Sequence, residues 1–180
     1  YVHTSVLYNG KIYSWGGYNG TSPINTVDIY DITANSWTTG TAGGTARYFH
    51  SSVLYNGKIY SWGGQNSVGT VINTVDIYDI ATNSWSTGTT GGTTRQYHTS
   101  VLYNGKIYSW GGIGPLNTVD IYDIAANSWS AGTAGGTARY GHTSVLYNGK
   151  IYSWGGYTTT TINTIDIYDI ATNSWSTGTA

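Results

Sequence analysis

The decamer YNGKIYSWGG stands at residues 8–17, 55–64, 103–112 and 147–156 without a changed letter. The recurrent histidines His3, His50, His98 and His142 set successive copies 47, 48 and 44 residues apart. A period of this length constrains the fold more than any composition does. Each copy is one supersecondary unit that cannot bury its apolar face alone, so the core has to come from stacking like units. The unit reads HTSVLYNGKIYSWGG, then a variable stretch, then NTVDIYDIATNSWSTGTAGGTAR with small changes.

Four short strands per unit are predicted. HTSVLY is β-branched and apolar, and Asn-Gly follows as the pair preferred in a two-residue hairpin turn, where both central residues take positive φ. KIYSW is then the second strand, ended by a double glycine suited to close backbone approach or positive φ. TVDIYDI is the third strand and SWSTG the fourth, with the polar turn ATNS between them. TAGGTAR crosses to the next unit. No window carries a 3.6-residue apolar period, so no helix is expected.

Four antiparallel strands repeated at mid-forties spacing read as a propeller-blade pattern. The apolar run ending in Gly16-Gly17, followed by Tyr30 and Trp37, resembles the kelch repeat. The same set returns as Gly63-Gly64, Tyr78, Trp85, then Gly111-Gly112, Tyr122, Trp129, then Gly155-Gly156, Tyr168, Trp175. The resemblance covers essentially the whole chain. It implies an all-β β-propeller built of four-stranded antiparallel kelch-type blades with the first strand innermost and those glycines, tyrosines and tryptophans in structural roles. Four blades are expected in this chain, at about 1–47, 48–95, 96–139 and 140–180. Six or seven are usual in kelch propellers, so the expectation is either part of a larger array, a ring completed by a second copy, or a small four-bladed closure. The first residue is Tyr, which points to a processed, trimmed or partial chain.

Composition narrows function by exclusion. Charged residues are 8% of the chain, the net charge is -1, and no Glu occurs. The basic footprint of a nucleic-acid binder is therefore missing. Without Cys there is neither a disulfide framework nor a thiolate metal site. No apolar run is long enough for a helical membrane span. One Phe against eight Trp and eighteen Tyr means that large flat rings do the burying. Abundant Thr, Ser, Gly, Asn and Tyr lean toward an extracellular or cell-surface setting.

Differences between copies separate framework from variation. Length changes only between the double glycine and NT[VI]D, at residues 18–24, 65–72, 113–116 and 157–162. The pair ahead of each histidine also varies: Tyr1-Val2, Tyr48-Phe49, Gln96-Tyr97 and Tyr140-Gly141. In an up-and-down meander these two regions fall at the same end of the strands. One face is thus diversified and uncharged, and its candidate contact residues are Tyr1, Tyr18, Asn19, Tyr48, Phe49, Gln65, Asn66, Gln96, Tyr97, Tyr140 and Tyr157. Such surfaces suit a protein partner or a neutral glycan and do not suit phosphate.

Catalytic and metal readings are weaker. The four histidines occupy equivalent positions with no varying Asp, Glu or Cys beside them, which favours a structural hydrogen bond over a metal site. Asp28 and Asp31, taken as sharing one strand face, form a candidate carboxylate pair, but they recur in every copy, and turn capping with a surface ion pair to Lys11 explains them. The tryptophans, Trp15, Trp62, Trp110 and Trp154 included, are expected between blades. No catalytic residue, cofactor or metal is assigned. The expectation is a non-enzymatic binding or assembly module presenting variable loops to a protein partner or to another copy of itself as a homo-oligomer. A carbohydrate-binding propeller and a structural surface or filament subunit are the alternatives.

Overall fold

A computed structural model describes residues 1–179, with no helix among the described residues. The chain divides into two compact units, Tyr1–Thr90 and a second beginning at Gly91. In the first, β1 (Thr4–Tyr8), β2 (Lys11–Trp15), β3 (Val27–Asp31) and β4 (Ser36–Gly40) form one four-stranded sheet in sequence order. After the short β5 (Arg47–Tyr48), β6 (Ser51–Tyr55), β7 (Lys58–Trp62), β9 (Val75–Asp79) and β10 (Ser84–Gly88) form the next, and β8 (Gln65–Asn66) pairs with β5. The second unit holds β11 (Thr99–Tyr103), β12 (Lys106–Trp110), β13 (Val119–Asp123) and β14 (Ser128–Gly132), then β15 (Thr143–Tyr147), β16 (Lys150–Trp154), β17 (Ile165–Asp169) and β18 (Ser174–Thr177). All pairings are antiparallel.

Local chemistry accounts for these meanders. Asn9 and Gly10 have φ of 47° and 73°, the pair of left-handed residues that a tight hairpin with native twist demands. Asp31 accepts from the amides of Thr33 and Ala34 at 3.0 and 2.9 Å, closing the turn into β4. Tyr30 stacks across the sheet on Trp37 at 5.0 Å, and the same pair recurs as Tyr78 on Trp85, Tyr122 on Trp129 and Tyr168 on Trp175.

In the first unit, one sheet face meets the next through Tyr13, Trp15 and Val27 against Ile59 and Tyr78. Trp15 and Trp85 lie 5.0 Å apart. In the second unit Val101, Tyr108, Trp110 and Val119 meet Ile151 and Tyr168, with Trp110 4.9 Å from Trp175. The double glycine makes room for the incoming chain: a Cβ on Gly16 would come within 2.8 Å of both the Arg47 carbonyl and the His50 ring, while Gly17 donates its amide to that carbonyl at 2.8 Å.

Two expectations need correction. Trp37 and Trp154 do not lie between sheets; they are 63% and 58% exposed, because within its own unit the face each occupies has no sheet stacked on it. Asp28 and Asp31 do not share a face either, since three residues along a strand bring a side chain to the opposite side. The Asp31 series forms the surface ion pairs, with Lys11 to Asp31 at 2.8 Å and Lys58 to Asp79 and Lys150 to Asp169 at 2.5 Å. Lysine and turn amides together hold Asp79 and Asp169 down at about 2.

The counterparts of Asp28 in the other three sheets turn inward and bind arginine. Arg47, Arg95 and Arg139 are fully buried, and each ion-pairs with Asp76, Asp120 or Asp166. Arg47 also donates to the Gly63 and Thr74 carbonyls at 2.9 and 3.0 Å and to the Thr74 hydroxyl at 2.8 Å, while the Thr45 amide donates to Asp76 at 2.8 Å. Desolvation pulls the Arg47 guanidinium below its ordinary pKa and Asp76 opposes the shift, so the group stays charged. Removing one partner strands a buried charge, at a typical cost of about 3–5 kcal/mol. We expect Arg47→Ala to lower the urea midpoint of the chain accordingly, whereas Lys58→Ala, at an exposed pair, leaves it nearly unchanged. Arg47→Met with Asp76→Leu should recover little, because the Gly63 and Thr74 carbonyls and the Thr45 amide still lose their partners; full recovery in that double variant would show that charge alone matters.

Candidate functional site: an uncharged aromatic rim

The variable loops and the pairs ahead of the histidines come together, as the strand reversals predict. Tyr48 pairs with Gln65 through β5 and β8, and Tyr18 donates its amide to the Tyr1 carbonyl at 2.8 Å. In the second unit Tyr157 and Tyr140 exchange both amides at 3.1 and 2.9 Å, and Ile113 donates to the Gln96 carbonyl at 3.0 Å.

Rings line this end in each unit. In the first, Tyr1 contacts Tyr18 at 5.5 Å, Tyr18 contacts Tyr48 at 5.3 Å and Tyr48 contacts Phe49 at 4.6 Å. In the second, Tyr97 contacts Tyr140 at 6.0 Å and Tyr140 contacts Tyr157 at 5.4 Å. Centroid spacings of this kind add to the area each ring buries, so both rows are pre-assembled surfaces. No charged side chain occurs in the variable loops.

The backbone here is unusual. Val2, Phe49 and Tyr97 have φ of 56°, 57° and 58°, a region that bulky and β-branched residues rarely adopt. Gly141 holds the fourth equivalent position at φ 63°. The conformation serves a bond between neighbouring sheets: Phe49 donates to the Val2 carbonyl at 3.2 Å, and Gly141 to the Tyr97 carbonyl at 2.9 Å. Retaining aromatic residues where glycine fits without strain marks the position as one that spends stability on a side chain.

Other candidates divide by what their polar atoms do. The Asn19 side-chain oxygen accepts from the Thr21 and Ser22 amides at 2.9 Å, and that of Asn66 accepts from Val68 and Thr70 at 3.1 and 2.9 Å. Both shape their own loops. Gln65 holds its loop as well, accepting from Tyr48 and donating to the Gly69 carbonyl at 2.6 Å. Gln96 is only 8% exposed and belongs to the interior of this end rather than its surface. Sequence reasoning passed over Val68 and Ile113, which are 80% and 40% exposed. Their position at the tips of variable loops was the available signal.

His50, His98 and His142 lie buried beneath the rim, whereas His3 is exposed. His50 is 6% exposed, meets the Thr4 hydroxyl through Nε2 at 3.0 Å, and sits edge-on to Trp15 at 4.7 Å. His142 repeats this with Thr99 at 2.9 Å and Trp110 at 4.6 Å. Burial, reinforced by Arg47, pushes the His50 pKa well below its ordinary 6.5, and burial with Arg139 and Arg95 pushes His142 to about 3. Hydroxyl chains continue the contact, from Thr4 to Ser52 to Ser61 at 2.7 Å each and from Thr99 to Ser144 to Ser153 at 2.6 and 2.8 Å. No group of three His, Cys, Asp or Glu side chains suited to a metal occurs among the described residues.

Two outcomes follow from this geometry. Below pH 6.5 the unfolded chain takes up protons that the folded imidazoles refuse, so stability is full above that value and declines toward 3. Each histidine contributes a slope of at most about 1.4 kcal/mol per pH unit. Urea midpoints of the chain should fall from pH 6.5 to 4, before the surface aspartates titrate, and His142→Asn should flatten that decline; an unaltered slope would count against it. At Gly141 no neighbour lies within 4 Å of where a Cβ would stand. Gly141→Phe should therefore cost only the left-handed strain of about 1–2 kcal/mol in denaturant unfolding.

The family model described as the KLHDC2/KLHL20/DRC7 Kelch-repeats domain matches residues 2–180. No curated protein matches the chain. Kelch-repeat domains generally mediate protein–protein interaction and are typically non-enzymatic scaffolds. The repeated glycine pairs, the Tyr-on-Trp contacts and the family match over nearly every residue agree that this chain belongs to the kelch-repeat family.

Proposed function

We propose that the chain is a non-enzymatic kelch-type binding module whose uncharged aromatic rim holds a protein partner. Residues 1–47, 48–95, 96–139 and 140–180 are read as its blades, contributing to a propeller. The observation that carries the reading is the retention of Phe49 and Tyr97 at left-handed positions where Gly141 stands in the fourth copy. Loops on a fixed scaffold tolerate drift, but an aromatic residue kept at a conformational cost gains its advantage from what its ring touches.

The rim's chemistry defines the partner. With tyrosine rings, threonine and asparagine and no charged side chain in the variable loops, it favours an uncharged peptide segment rich in apolar and aromatic residues. Tyrosine surfaces also accept sugars, so a neutral glycan is the competing ligand.

Panning a phage-displayed library of random peptides against the chain tests this. Enriched peptides should be aromatic and poor in charge, and Phe49→Ala or Tyr97→Ala should weaken them about tenfold or more, the scale of an interface hot spot. Lys11→Ala, at the opposite end of the strands, should not. Enrichment indifferent to both aromatic variants would dismiss the rim as the contact surface. Binding on a glycan array without peptide enrichment would transfer the site to carbohydrate.

A further inference from the structure

The loop between β2 and β3 carries a feature that a contact role for the rim does not use. Of the fourteen asparagines, Asn19 alone opens an Asn-X-Ser/Thr triplet, completed by Gly20 and Thr21. The triplet is the acceptor pattern for N-linked glycan, which asks for a carboxamide nitrogen to join to the sugar and a hydroxyl two residues further on. Three letters arise by chance, and it is the geometry of this loop that sets the triplet apart.

Residues 19–22 are all exposed at the tip of a tight reversal. Tyr18 and Pro23 face each other across it, the Asn19 amide donates to the Ser22 carbonyl at 3.1 Å, and Gly20 makes the turn at φ 102°. The Asn19 side-chain oxygen accepts from the Thr21 and Ser22 amides, both at 2.9 Å. Two donors on the oxygen give the carboxamide one orientation, with Nδ2 turned away from them and without a hydrogen-bond partner among the described residues. The Thr21 hydroxyl has none either. Tyr18 donates its hydroxyl to the Thr21 carbonyl at 2.8 Å, which lays its ring along the loop as an apolar surface for a first sugar.

The second copy supplies the contrast. Asn66 holds the Val68 and Thr70 amides at 3.1 and 2.9 Å in the same posture, but two residues beyond it stands Val68, 80% exposed and without a hydroxyl. The third and fourth loops, at 113–116 and 157–162, contain no asparagine.

We propose that Asn19 is an N-glycosylation acceptor whose co-substrate is an oligosaccharide carried on a lipid pyrophosphate. Nδ2 bonds to the anomeric carbon of the first sugar, the lipid pyrophosphate leaves from that carbon, and one Nδ2 proton passes to a base of the transferase. The amide carbonyl survives the reaction, so Oδ1 keeps both backbone amides and the turn is unaltered. The transfer needs nothing of the rim's binding role.

Secretion of the full chain from cultured mammalian cells behind a cleavable signal peptide tests the assignment. One glycan should be found on the peptide that contains Asn19, and a glycan-releasing amidase should remove it from the native chain, leaving aspartate labelled from heavy-oxygen water. Asn19→Gln and Thr21→Ala should abolish the modification, and Thr21→Ser should retain it. Val68→Thr completes a triplet at Asn66 and should add a second glycan. A chain with its signal peptide removed and Asn19 bare would overturn the proposal, as would a glycan that persists in Asn19→Gln or one released only after denaturation. Phe49→Ala, which disrupts the peptide contact proposed for the rim, leaves the glycan in place, so failure of the rim as a contact surface and failure of Asn19 as an acceptor are told apart.

Discussion

A buried guanidinium organises each sheet that has one. Arg47 reaches back across its own sheet to Gly63, Thr74 and Asp76, so one side chain ties the segment arriving from the previous sheet to the end of the second strand and the start of the third. The charge could not persist in that interior without its carboxylate, nor the carboxylate without the guanidinium and the Thr45 amide. The ordering of the crossover follows from this mutual dependence, and the crossover in turn delivers the histidine beneath the rim. Arg139 occupies the same place in the second unit.

Above that anchor the two ends of the strands behave differently. At the hairpin end every copy has the same Asn-Gly turn, the same lysine and the same aspartate, engaged with one another and screened by water. At the rim the backbone framework is equally regular, with left-handed residues passing amides from sheet to sheet, yet the side chains change from Val2 to Phe49 to Tyr97. A constant frame carrying changed side chains is the division of labour expected of a recognition surface, and it fits the interaction role general to kelch-repeat domains.

Most of the meander was legible in the sequence because its causes are local. Asn-Gly, the double glycine and the Tyr and Trp seven residues apart each act through neighbours in sequence or across one hairpin. The inward aspartates were misjudged for the opposite reason. Asp76 meets an arginine 29 residues away, and no local pattern distinguishes it from Asp79, which meets a lysine on the surface. Counting strand parity correctly would have separated them, but not named the partner. The rim could be located from loop variability, whereas the roles of Asn19 and Asn66 could not, because an asparagine that shapes a loop and one that greets a ligand look alike in one dimension. Left-handed φ at Phe49 left a faint trace in the glycine at the equivalent Gly141.

The junction between sheets is written in the same residues each time it is described. Trp15 against Trp85 in one unit and Trp110 against Trp175 in the other differ by 0.1 Å in ring spacing. A joint that needs only its immediate neighbour makes the repeat a interchangeable brick, so gene-level gain or loss of a whole copy leaves every surviving joint chemically intact. The length of such an array can therefore change by whole copies while each joint is formed by the same residues as before.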